Sequence, residues 1–374
     1  MMRPAGSALE RLVDSLVESG AASAVVALVG NACEVEWCWT AGWARAGPPA
    51  ACLANPSTWF DFGSLTKPFA ATLGLLLDRS GELPLATPLG AVFAGADARL
   101  AAISLLDLLR HAARMQAWTP LYARCRSLAE VRDLLIGGGL LGGRAGTYSD
   151  LDYILWGFAV ERALGRPLAA LVVERVLAPL ALSAGELAVA AAPGDVPAVA
   201  ESCMDGGREV VLAARQGIYI PPLPPPAPGE PQDGNARFLL RSAARGAIAG
   251  HAGLFGTAAA LWRLGAEWLA PRVLLDREIV AGALAGGGPF AVGWWRRRHR
   301  GSGGAGLSPF AYGHSGFAGG SLWIDPQARR VLVLLAHRLD SASNLNRWRR
   351  RFHAAAGRAF AKGHPAGVTA GGQD

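Results

Sequence analysis

The sequence predicts an α/β fold of the α+β type, in which an antiparallel sheet built from both chain termini is flanked by helices and accepts a mostly helical insertion. Three observations carry that expectation. Strand-like stretches lie near both ends of the 374-residue chain and are sparse between them. The middle is a succession of helical stretches joined by Gly- and Pro-rich connections. Apolar residues make up 51% of the chain and charged residues only 17%, which suits a sizeable core and excludes global disorder. Residues 1–82 and 248–365 then form the sheet region, 83–247 the helical region with a Pro-rich loop at 219–234, and 366–374 a flexible tail, all in one domain.

The opening MMRPAGSALERLVDSLVESG reads as an amphipathic helix with Leu9, Leu12, Leu16 and Val17 on one face. Its Asp14 and Glu18 stand where an export signal needs an apolar run. ASAVVALVG and EVEWCWTAGWARAG read as a hairpin turning at Gly30-Asn31. Apolar spacing predicts a helix over 66–80, stopped by Gly81, with Ser64 at its start and Lys67 one turn further in. Further helices are expected over 105–111, 128–136, 150–164 and 167–177. YIPPLPPPAPGEPQDG, 219–234, is a polyproline-type surface loop. Strands return as PFAVGWWRRR, GGSLWIDP and RRVLVLLAHR, the last two a hairpin through Asp325-Pro326, before a last helix over 344–362.

No apolar stretch reaches membrane-spanning length uninterrupted, so no membrane span is expected. The formal charge is +7, with its densest runs at 296–300 and 347–351. A solvated loop and a basic helix face account for these runs, and no nucleic-acid partner is expected. The five cysteines are odd in number and lack metal-ligand spacing, which fits a reducing, cytoplasmic compartment. The oligomeric state is not legible.

Lys67 and Lys362 are the only lysines among 36 basic residues. Where a charge alone suffices this chain uses Arg, so position 67 points to a need for an amine that loses its proton. Residues i and i+3 share a helix face, which brings the Lys67 amine to the Ser64 hydroxyl. Serine becomes a useful nucleophile when a base removes its proton; a desolvated lysine does this and an arginine does not.

Tyr148 precedes the 150–164 helix on a loop, where a phenol near a cation relays a proton to a leaving group. Taken alone, the favoured reading is a half-buried tyrosine supporting the loop, with Ser149 or Asp150 as a helix cap. In YGHSGFAGGSLWIDP the glycines at 316, 319 and 320 permit close approach to a strand edge. There the Phe317 N–H pairs with that of Ser64 as an oxyanion hole. His314 binds a substrate carboxylate, orients the tyrosine, or packs at a strand end.

In this order SLTK, YSD and HSG resemble the serine hydrolases of the β-lactamase and penicillin-binding protein superfamily. The resemblance is closest to the class C β-lactamase-like branch, which includes esterases and D-amino-acid peptidases. FDFGSLTKPFAATLGLLLDRSGELPLATPL, ISLLDLLRHAA and AGHAGLFGTAAALWRL extend the match over residues 20–355. It implies a β-lactamase/transpeptidase-like fold, Ser64 as acylated nucleophile, Lys67 as its proton-transfer partner, and Tyr148 as general base or acid. His314, Ser315 and Gly316 become the strand motif beside the scissile bond, and no metal or organic cofactor is needed.

Two departures stand out. LLRHAAR replaces the family's LLTHTSG, in an element expected to hold no catalytic group. Asp150 stands where the family usually has Asn. An ionised Asp only accepts hydrogen bonds; it should pair with Lys67, raise the lysine pKa and weaken recognition of an acylamide carbonyl. A small ester, amide or peptide is therefore the expected substrate. A D-alanyl-D-alanine carboxypeptidase or β-lactamase, disfavoured by the lack of an export signal, and a non-catalytic binding protein of the same fold are the alternatives.

Overall fold

The computed structural model describes residues 7–46, 51–183, 187–189, 199–201, 207–240, 248–297, 303–338 and 344–360. Its strands are β1 (Ala22–Gly30), β2 (Val35–Arg45), β3 (Cys52–Leu53), β4 (Phe60–Asp61), β5 (Leu187–Val189), β6 (Leu254–Gly256), β7 (Phe290–Ala291), β8 (Trp294–Arg296), β9 (Tyr312–Ser315), β10 (Ser321–Asp325) and β11 (Arg330–Arg338). An eight-stranded sheet runs β3-β2-β1-β11-β10-β9-β8-β7, with antiparallel pairings throughout. It joins the two ends of the chain as expected: β1 lies against β11, with Ala22 opposite Arg338 and Gly30 opposite Val331.

The sheet is covered on both faces, and β1 shows why its sequence is nearly all apolar. Successive side chains of a strand point to opposite faces. Val25, Ala27 and Val29 join a core formed with Leu9, Val13, Leu16, Phe352 and Ala356, from the Ala8–Glu18 and Leu345–Ala359 helices. Ala24, Val26 and Leu28 join the larger core, shared with the Thr66–Ser80 and Ala258–Leu269 helices. Each Val or Leu so buried contributes on the order of 1.5–3 kcal/mol. On the first helix Val13 completes the buried stripe, while Leu12 and Val17 are only partly covered. Spacings of four and three from Leu9 keep Val13 and Leu16 on one line of the helix.

The Thr66–Ser80 helix has the expected bounds and is buried on every side from Thr66 to Leu77, ending at Gly81 in the left-handed conformation. Leu128–Ile136 and Asp150–Leu164 also form where expected. Leu105–Leu109 stops earlier, because His111 turns the chain with a φ of 53°. The stretch expected as one helix over 167–177 is Leu168–Val172 continued by a π-helical turn, Val173–Leu177. The last helix is Leu345–Ala359, and Lys362 lies outside the described residues.

PFAVGWWRRR is not one strand but two: β7 and β8 form a hairpin through Val292 and Gly293. Gly293 has a φ of 80°, and an added Cβ would lie 2.7 Å from that of Ala71, so the turn needs glycine. Arg296 also departs from the solvated loop expected for the basic run. Its side chain is buried and donates to the carbonyls of Leu284, Ala285, Gly288 and Phe290 at 2.5–2.8 Å. A second small sheet, β4-β6-β5, was not anticipated; its strands are two or three residues long and leave no alternation to recognise. Across the Pro-rich loop Ile220 and Gly229 are buried, Leu223 and Pro226 half-buried, and the residues between exposed. That period of three is the turn of a polyproline helix lying on the surface. No helix among the described residues is long and apolar enough to cross a membrane.

Candidate active site

β4 delivers the chain into a single tight turn, Gly63–Leu65, from which the Thr66–Ser80 helix starts. Asp61 holds this turn: one carboxylate oxygen accepts the Gly63 N–H and the other the Gln232 N–H, both at 2.8 Å. The Asp61 N–H donates to His337 Nε2 at 2.9 Å, so the ring proton sits on Nδ1, facing the carbonyls of Ala200 and Glu201 at 3.1 Å. Burial pushes Asp61 up to about 6, against those two backbone N–H groups.

Ser64 is 8% exposed and Lys67 wholly buried behind it. Lys67 Nζ lies 2.9 Å from Ser64 Oγ, 2.6 Å from Asp150 Oδ1 and 3.3 Å from the His251 carbonyl oxygen. Three acceptors match the three protons of an ammonium. The Asp150 pairing is the one expected, but the net effect on Lys67 is the reverse. Burial lowers its pKa and outweighs Asp150, which acts to raise it. Ser149 is the helix cap, its Oγ accepting the Asp152 N–H, which leaves the Asp150 carboxylate to face the lysine.

Tyr148 lies beside Ser64 and Asp150 on the same cavity. Burial first and the Asp150 charge second push it well above its ordinary value, so it is a phenol and not a phenolate. Its ring stacks on Trp295 at 5.5 Å and lies 4.8 Å from Lys67 Nζ. Ser64, Tyr148, Asp150, Ser315, Gly316 and Phe317 face a common cavity of about 440 Å³. Gly316 is where β9 meets the serine turn: an added Cβ would lie 2.4 Å from the Phe62 carbonyl oxygen. The Phe317 nitrogen faces that same turn, 3.3 Å from where a Gly63 Cβ would lie.

His314 is buried near the end of β9, beside Tyr148. It is 2% exposed, its Nδ1 is 3.1 Å from the Ser315 carbonyl, and its ring is 5.7 Å from that of Tyr148. Burial and the Lys67 charge hold its pKa down to about 3.

Several residues at the site were not singled out from the sequence. His111, in the LLRHAAR stretch, packs its ring 4.6 Å from that of Tyr148, with Nδ1 3.3 Å from Asp152 Oδ2 and 3.2 Å from the Ser149 N–H. Burial first, then Lys67, pushes the His111 pKa well below its ordinary value; burial and then the Asp150 charge push Asp152 well above the usual carboxylate range. His251 Nε2 meets Asp233 Oδ1 at 2.9 Å. Burial opposes both charges in this pair, yet each raises the other's charged form, and their pKa values move apart. Asp233 belongs to the Pro-rich loop, whose end is therefore part of the site. Arg208, Arg338 and Arg349 also face the cavity. The local signals were HAA and GHAG, but neither histidine's partner lies at a helical spacing. Among the described residues no group of three or more His, Cys, Asp or Glu is placed to hold a metal ion.

The Beta-lactamase family model matches residues 9–356, and the chain belongs to the beta-lactamase family. Solved structures share the fold. A penicillin-binding protein homologue from Caulobacter crescentus superposes with a TM-score of 0.70 at 19% identity, covering 95% of this chain and 97% of that one. EstCE1, a hydrolase with promiscuous acyltransferase activity, gives 0.68 at 18% identity over 93% and 97% of the two chains. A class C β-lactamase from Rhodobacter sphaeroides gives 0.68 at 17% identity over 95% and 100%. No curated protein sequence matches the chain.

Proposed function

We propose that this protein is a serine hydrolase that forms an acyl-enzyme on Ser64 and acts on a small ester or amide. The observation that carries this is the contact of Ser64 Oγ with Lys67 Nζ at 2.9 Å, with the Tyr148 ring 4.8 Å from the same amine. Ser64 Oγ attacks the substrate carbonyl carbon and its proton passes to neutral Lys67, whose burial favours that form. The oxyanion is held by the N–H groups of Ser64 and Phe317. Tyr148 gives its proton to the leaving group and is reprotonated from Lys67. In the second step water attacks the acyl carbon, gives its proton to the same pair, and Ser64 leaves with a proton restored.

Asp150 supports an ester or simple amide over an acylamide, since an ionised carboxylate offers no donor to a carbonyl. A second reading, as a D-alanyl-D-alanine carboxypeptidase or β-lactamase, is favoured by the Arg208 and Arg338 side chains at the cavity, whose charge suits a substrate carboxylate. Cys33, Cys38, Cys52 and Cys125 are free thiols, which supports the cytoplasmic setting we propose. Hydrolysis of p-nitrophenyl acetate and butyrate by the wild type, beside Ser64→Ala, tests the reading. Turnover lost in the variant supports it; equal turnover in both, or none in a folded wild type, turns the weight to a binding protein of the same fold.

A further inference from the structure

We propose that the Arg349 guanidinium is a positioning group for the oxyanion donor. It binds the carbonyl oxygen of Gly316, the other end of the peptide unit that carries the Phe317 N–H, and so aims and polarises that N–H toward Ser64. This rests on the acyl-enzyme reading of Ser64. In a trans peptide the carbonyl oxygen and the amide hydrogen point in opposite directions across a rigid plane. Arg349 Nη2 donates to the Gly316 oxygen at 3.2 Å and to the Gly320 oxygen at 3.0 Å. Its Nε and Nη2 both meet the Gly319 oxygen, and Nη1 donates to Asn346 Oδ1 at 2.7 Å.

Three carbonyls of one turn thus converge on a single planar cation that is 3% exposed. The guanidinium is committed to backbone. Glycines make the convergence possible: at Gly319, with a φ of 145°, an added Cβ would lie 2.0 Å from the Ala336 oxygen. A charge-assisted hydrogen bond to an amide oxygen withdraws electron density from its nitrogen, and successive hydrogen bonds polarise one another. Arg349 therefore strengthens the Phe317 N–H as a donor while fixing its direction. An ammonium lacks the planar fork that meets three carbonyls at once.

The test uses Arg349→Met and Arg349→Lys in the full chain, with three readouts. For Arg349→Met, kcat on p-nitrophenyl butyrate falls about 100-fold with KM within about twofold, the scale of a lost oxyanion donor. Affinity for phenylboronic acid, whose tetrahedral serine adduct uses the same N–H, falls in step with kcat. In protein labelled with 15N-phenylalanine, the Phe317 amide proton resonance, assigned by its loss in Phe317→Leu, moves upfield. Arg349→Lys lies between wild type and Met on all three and carries the test if the Met variant does not fold. An unmoved Phe317 resonance in a folded variant overturns the proposal, as does a rise in KM at constant kcat. If the wild type shows no Ser64-dependent turnover, the function reading fails, and the resonance still decides the role of Arg349.

Discussion

Lys67 is pulled two ways. Burial drives off its proton, while Asp150 Oδ1 at 2.6 Å holds the proton on. A base must be neutral to act, so turnover should rise with pH through the Lys67 pKa, which lies below the ordinary lysine value. Asp150→Asn removes the partner that does most to keep the charge, ahead of Asp233 and Asp152, so the rising limb of kcat/KM against pH should move to lower pH. The amide donor gained should also raise lactam turnover relative to ester turnover. A limb that stays in place, with the ratio unchanged, would mean that Lys67 is not the group titrating. Ser64, Lys67, Tyr148 and Asp150 were legible in the sequence because each sits at a helix start with a local spacing. His111–Asp152 and Asp233–His251 were not, because 41 and 18 residues separate the partners and only the fold closes the distance.

At the scale of elements, the site is the seam between the start of the Thr66–Ser80 helix and the end of β9. That seam is as tight as two backbones permit, since an alanine methyl at Gly316 would meet the Phe62 oxygen at 2.4 Å. Gly316→Ala should therefore cost about 1–3 kcal/mol of stability, as overpacking does, and lower ester turnover by more than the lost stability accounts for. Urea unfolding with kcat measured on the folded fraction checks both. The Thr66–Ser80 helix was legible to the residue, because a continuous apolar run closed by Gly81 is a local signal. The β7–β8 hairpin was not, since its strands of two and three residues are held by the Gly293 turn and by the carbonyl bonds of Arg296, which in sequence looks like one more exposed arginine.

Over the whole molecule, pairing of β1 with β11 joins a sheet from the two ends of the chain, and nearly all-apolar strand-like runs near both ends made this legible. The second sheet was hidden by the shortness of its strands, and the inward end of the Pro-rich loop because it depends on buried polar groups such as Glu209. Its two oxygens accept the Tyr122 hydroxyl at 2.7 Å and the Gly234 N–H at 2.9 Å. Burial first, and the Asp233 charge second, raise the Glu209 pKa. The folded state thus keeps a proton that the unfolded chain has released, and this contribution to stability falls as pH rises from the ordinary carboxylate range toward the raised value. Glu209→Gln keeps the Gly234 N–H on its amide oxygen and reverses the other bond, its NH2 donating to the Tyr122 oxygen, and should flatten the decline of the urea midpoint between about pH 5 and about pH 8. An unchanged slope would place the pH dependence elsewhere.

The central claim is a covalent one: Ser64 carries the acyl group. Rapid acid quenching of the wild type with p-nitrophenyl butyrate, followed by intact and peptide mass spectrometry, tests it most directly. We expect one butyryl adduct, on the peptide containing Ser64, absent in Ser64→Ala. Ester turnover with the adduct on another residue, or with an adduct that persists in Ser64→Ala, would contradict the account.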